Sequence, residues 1–186
     1  MKAKTIDRRL GRALQERRRV RLWRDELDEH SLDGYVLATG ERWLLLAVLA
    51  DDLTPDGWTC VRRKDVTRAY NAPAQRFHQR AVELRGHWPP LAPPGSLDLS
   101  TRRRLLLSIA AVSTVLTVHP EKWRSDVSYI GVVVGTSRKT LRLLEIGPDA
   151  EWADEPALHD LRDITKIDFG NGYEEALLLV GGVRLA

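Results

Sequence analysis

The feature that most constrains this chain is that it repeats itself. A proline-rich segment, Gly86-His87-Trp88-Pro89-Pro90-Leu91-Ala92-Pro93-Pro94-Gly95, divides it near the middle. Its four prolines forbid helix and disfavour a central strand, so an extended connector is expected. Pro90 to Pro93 also matches a PxxP ligand pattern, which arises often by chance in such connectors. On the two sides, the same residue types recur in the same order. Gly34 corresponds to Gly131, Val36 to Val133, Thr39 to Thr136, Leu44 to Leu141, Leu46 to Leu143 and Asp52 to Asp149. One residue is then inserted in the second copy, after which Asp65-Val66-Thr67-Arg68 corresponds to Asp163-Ile164-Thr165-Lys166. Ordered matches at a nearly constant offset mark a duplicated unit. The expected organisation is a first domain at 1–85, a linker at 86–99 and a second domain at 100–186.

Each copy carries the same succession of local signals. Ile6, Leu10, Ala13 and Leu14 recur at helical spacing, with arginines on the other face. Residues 100–112 form the matching helix candidate, with Thr101 as cap and Leu105, Leu106 and Ile109 as its apolar stripe. After each helix comes a β-prone run, at 20–23 and 115–119. Branched residues then fill 34–39 and 131–136. Polar turns follow, Gly40-Glu41-Arg42 and Ser137-Arg138-Lys139, answered by hairpin strands at 43–49 and 140–146. Two closing strands are expected at 58–62 and 66–70, matched at 157–161 and 164–169. Gly34 and Gly131 sit where the second strand would bend sharply. His119, before Pro120, reads as a loop residue within reach of Glu121.

A helix followed by five strands, with a glycine early in the second strand, resembles the Sm-like fold of the Sm and LSm proteins and bacterial Hfq. The residues that carry the resemblance are Gly34…Thr39-Gly40-Glu41-Arg42-Trp43-Leu44 and Gly131…Thr136-Ser137-Arg138-Lys139-Thr140-Leu141, with closing strands at 61–70 and 161–169. The resemblance implies a mainly β protein with short helices: two tandem five-stranded small β-barrels, each preceded by an α-helix. It also implies RNA as a ligand, and self-association through barrel edge strands. The pattern departs from RNA-binding members of that family. They place an aspartate and an asparagine in the turn between strands two and three, and an arginine–glycine pair between strands four and five. The turns here offer Arg42, and Arg138 with Lys139; the other loop offers Arg62-Arg63-Lys64 in the first copy and Arg162 in the second.

Charge points the same way. The net charge is only +3 over 186 residues, but its distribution is uneven. Arg8, Arg9, Arg12, Arg17, Arg18, Arg19, Arg21 and Arg24 crowd one segment, and acidic residues gather later, between Asp149 and Asp163. A local basic stripe binds phosphate even when the whole chain is near neutral. The expected nucleic-acid contacts are Arg8, Arg12 and Arg19 as one helical stripe, with the loop residues Arg42, Arg62, Arg63, Lys64, Arg138 and Lys139. The competing reading is a protein-interaction or assembly module with no nucleic-acid ligand, in which the arginines only solvate a helix face.

Enzymatic signals are absent. Gly131, Gly135, Lys139 and Thr140 have the wrong spacing for a phosphate loop, and a strand rather than a helix follows them. No two of His30, His78, His87, His119 and His159 stand at a ligand spacing, and Cys60 is the only cysteine. Asp51-Asp52 and Glu174-Glu175, taken as strand residues, would point to opposite faces. Ser137 lacks the elbow of a hydrolase nucleophile. The expectation is a non-enzymatic binding protein with no cofactor and no metal. No apolar run reaches the roughly 18–20 residues of a membrane helix, and the single cysteine suits a reducing compartment, so a cytoplasmic location is expected. Of the tryptophans, Trp43 reads as core; Trp23, Trp58, Trp88, Trp123 and Trp152 suit either packing or base stacking.

Overall fold

The computed structural model describes residues 3–124 and 126–184. The chain divides into two compact units, Met1–Pro93 and Pro94–Ala186. The first contains α1 (Ala3–Glu16), β1 (Arg19–Arg24), β2 (Asp28–Thr39), β3 (Trp43–Leu49), β4 (Pro55–Arg62), β5 (Arg68–Asn71) and α2 (Gln75–Leu84). The second contains α3 (Arg102–Ala110), β6 (Leu116–His119), β7 (Tyr129–Thr136), β8 (Thr140–Glu145), β9 (Ala157–Asp160), β10 (Lys166–Phe169) and α4 (Gly172–Gly181). Helices α2 and α4 lie outside the sequence expectation.

In each unit the strands form an open antiparallel sheet, not a closed barrel. Within the first unit their order is β5-β1-β2-β3-β4, and within the second β10-β6-β7-β8-β9. Neither order returns on itself, so the Sm-like, small-barrel expectation is overturned. The physical reason is visible in the first unit, where a helix covers the inner face. Ile6, Leu10 and Ala13 of α1 join Val20, Leu22, Val36, Leu44, Leu46, Val61, Val66 and Ala69 in one apolar cluster. Burying the helix stripe there does the work that barrel closure would do. Helix α1 ends at Arg17, whose left-handed φ of 50° lets the Arg18 N–H donate back to the Ala13 carbonyl at 2.9 Å. Thr101 caps α3 by accepting from the Arg104 N–H.

The repetition holds at the level of individual pairs. Val20↔Gly34 on β1–β2 has its counterpart in Leu116↔Gly131 on β6–β7. Tyr35↔Ala47 and Val36↔Leu46 match Val132↔Leu144 and Val133↔Leu143. Each hairpin carries a register shift at the same place, between Val36 and Ala38 and between Val133 and Gly135. Leu44↔Val61 matches Leu141↔His159, and Leu22↔Ala69 matches Val118↔Ile167. Loop bonds repeat as well. The Thr67 N–H donates to the Trp23 carbonyl and the Thr165 N–H to the His119 carbonyl, both at 2.9 Å.

Two glycines explain why the hairpins take this form. A Cβ at Gly34 would lie 2.8 Å from the Ala47 carbonyl oxygen, and one at Gly131 would lie 2.1 Å from that of Leu144. The strands approach so closely there that no side chain fits. Gly135 has open space around it. Gly131→Ala should therefore destabilise the second unit by about 1–3 kcal/mol, whereas Gly135→Ala leaves stability within about 0.5 kcal/mol. Urea denaturation of the two variants beside the parent checks this.

Candidate functional site

Strand register decides which side chains leave the core of the first unit. Leu22 and Ala69 pair across β1–β5 and are fully buried. Their neighbours Arg21↔Tyr70 and Trp23↔Arg68 must then face the other way. Tyr70 is 45% exposed. These outward residues stack into an alternating ladder. The Arg9 guanidinium of α1 lies 4.5 Å over the Tyr70 ring, Tyr70 meets Trp23 edge-on at 5.7 Å, and Arg68 lies 4.7 Å over Trp23. Arg9 is fixed by donating to the Ala69 carbonyl at 2.7 Å. Arg68 is held by Asp25, whose carboxyl sits below the usual range because Arg68 and then Thr67 donate to it.

Beside the ladder is an open recess of about 380 Å³ lined by Arg9, Arg12, Ala13, Arg18, Tyr70 and Asn71. Glu16 pairs with both Arg12 and Arg18 at 2.7 Å. One carboxylate thus faces three guanidinium groups, and the recess keeps a positive excess. Three guanidinium groups and one aromatic ring, Tyr70, share its lining.

The residues expected from sequence separate into groups. Arg8 and Arg12 are exposed on α1. Arg19 is not on the helix at all: it lies in β1, 8% exposed, and pairs with Asp33 at 3.3 Å. The stripe Arg8–Arg12–Arg19 therefore does not exist, because the helix stops at Glu16. Arg62 is buried too and is engaged by Asp65. Arg63 donates to Asp7 at 2.6 Å and to the Gly40 carbonyl at 2.7 Å. This ties the start of α1, the β2–β3 turn and the β4–β5 turn together, leaving Arg42 and Lys64 exposed at one end of the unit. Arg138 and Lys139 are exposed on the β7–β8 turn of the second unit. The expectation missed Tyr70 and Arg68 as site residues, and it counted Arg9, Arg18 and Trp23 only as members of a crowd. The alternation of Arg21, Trp23, Arg68 and Tyr70 with buried Leu22 and Ala69 was the signal available.

The equivalent positions in the second unit are built differently. Trp23, Arg68 and Tyr70 become His119, Lys166 and Asp168 in the repeat register. His119 ends β6 rather than lying in a loop, and it pairs with Asp168 at 2.7 Å, not with Glu121. Lys166 meets the same carboxylate at 3.3 Å. Helix α4 sits here, so Glu174 and Glu175 are helix residues, not strand residues. Glu174 is 2% exposed. It accepts from the Thr117 hydroxyl at 2.6 Å and closes a capping box with Asn171.

The comparisons with known proteins add no relationship: no protein-family model, curated protein or solved structure matches the chain. Among the described residues no group of three or more His, Cys, Asp or Glu side chains is placed to hold a metal ion. No described helix is long and apolar enough to cross a membrane.

Burial pushes the Glu174 carboxyl up to about 7 from an ordinary 4.5. A carboxyl raised in the folded state stabilises fully below its unfolded value, and that contribution is lost as pH rises through the folded one. The second unit should therefore lose roughly 3 kcal/mol between about pH 4.5 and pH 7 from this group. Glu174→Gln keeps one of the two acceptors and cannot titrate, so it should flatten that window. Thermal melts of parent and variant at pH 4.5, 6 and 8 test it.

Proposed function

We propose that this chain is a non-enzymatic single-stranded nucleic-acid-binding protein whose contact surface is formed by β1, β5 and the exposed arginines of α1 and its C-terminal turn in the first unit. The observation that carries the reading is the ladder Arg9–Tyr70–Trp23–Arg68 beside the three-arginine recess. Aromatic faces accept bases of any sequence, and guanidinium groups accept the phosphates between them. In the free protein, Arg9 and Arg68 cover the rings. A bound strand would take the ring faces and turn the same cations toward its backbone.

Two terms should then separate experimentally. Tyr70→Ala should weaken binding by about 1–3 kcal/mol by removing a stacking face, with the salt slope unchanged. Arg12→Glu with Arg18→Glu should flatten the slope of log affinity against log salt by about one unit for each phosphate that is no longer neutralised. Filter binding of a single-stranded oligonucleotide at two salt concentrations gives both numbers. Native protein with no salt-sensitive binding refutes the reading.

A second reading, a protein-interaction module, is favoured by α4, where Leu179 and Val180 are 86% and 76% exposed. It takes over if the oligonucleotide does not bind.

A further inference from the structure

We propose that the second unit carries a binding recess for an organic ammonium ion with an alkylated head, formed by Trp123, Tyr129, His159 and Asp163. This site is independent of the nucleic-acid surface and lies wholly on the other unit. The recess measures about 230 Å³. Pairing of Leu141 with His159 puts it on the side of the sheet where Leu141 is buried.

Its walls are aromatic and unusually rich in electrons. Trp123 is 77% exposed, yet its ring is fixed, because its indole N–H donates to Asp163 at 3.0 Å. Tyr129 and His159 form a tilted pair with centroids 4.6 Å apart, and the His159 Nε2 is hydrogen-bonded to Glu145 at 2.7 Å. A carboxylate on the N–H of an indole or imidazole pushes electron density into the ring. That strengthens the attraction of the ring face for a cation.

The charges agree. Asp160 and Asp163 line the recess with Arg124; Asp160 is paired with Arg162 at 2.8 Å, so Asp163, which holds the Trp123 indole N–H, is the carboxylate left to face a cation. Hydrogen bonds from Arg162 hold the Asp160 carboxyl down to about 2, so it is ionised wherever the protein is handled. The remaining lining includes Val118, Pro120 and Ile164, whose side chains offer no acceptors. A bare ammonium brings three donors that need partners, whereas an alkylated head brings methyl groups that suit apolar walls. In the first unit the positions of His159 and Asp160 hold Val61 and Arg62, so the recess belongs to the second copy alone.

Isothermal titration of the full chain with choline and with tetramethylammonium tests this, with 3,3-dimethylbutan-1-ol as the uncharged isostere of choline. Both cations should bind at one site per chain, and the alcohol at least about tenfold more weakly. Trp123→Ala should weaken choline at least about tenfold. Asp163→Asn, which keeps an acceptor for the indole but removes the charge, should also weaken it. Trp123 is largely exposed, so the Trp123→Ala circular dichroism spectrum should match the parent, and Trp123→Phe should retain part of the affinity. Absence of cation binding, equal binding of the alcohol, or unchanged affinity in a folded Trp123→Ala protein overturns the proposal.

Discussion

The close approach of backbones at Gly34 and Gly131 is the constraint on which the rest depends. At each glycine a strand presses against its neighbour within the radius of a missing methyl group. That contact locks the hairpin register, and a register slip of one residue would turn every side chain to the opposite face. With the register fixed, Leu22, Leu44, Leu46 and Ala69 point inward to meet α1. Arg21, Trp23, Arg68 and Tyr70 then have only the outer face left. The proposed ligand surface is thus a by-product of the same alternation that builds the core.

Two copies of one pairing scheme carry different side chains on the same outward positions. Hydrogen bonds of the turns are shared: the Gly40 N–H donates to the Trp43 carbonyl and the Ser137 N–H to the Thr140 carbonyl, both at 2.8 Å. Side chains on the outer face are not shared. The first unit sets cations over aromatic rings, and the second sets His119 and Lys166 on Asp168 beneath a helix that buries Glu174. Burying a carboxylate is costly, and the first unit has no counterpart to this arrangement. Backbone-determined positions repeat, while positions free to vary have taken different chemistry.

Much of this was legible in the sequence. The duplication, the inserted residue and α1 all follow from spacing, and so do the β3 bounds Trp43–Leu49. Other parts were not legible. Closure of the sheet depends on whether a helix or a returning strand covers the inner face, and a single apolar pattern suits both. The end of α1 depends on Arg17 taking a left-handed conformation that usually belongs to glycine, so Arg19 read as helical and exposed when it is a buried strand residue. Helix α4 was hidden because Ala176-Leu177-Leu178-Leu179-Val180 reads equally well as strand. The ladder itself needed the β1–β5 pairing, since Trp23 and Arg68 lie far apart in the chain.

The central claim is that single-stranded nucleic acid lies along Arg9, Trp23, Arg68 and Tyr70 and avoids the second copy of the fold. Photo-cross-linking of a 4-thiouridine oligonucleotide to the full chain, followed by mass spectrometric mapping of the modified peptides, measures it directly. The account predicts cross-links at Trp23 and Tyr70, with none at His119 or Asp168. Cross-links concentrated on the second unit, or spread evenly over both, would contradict it.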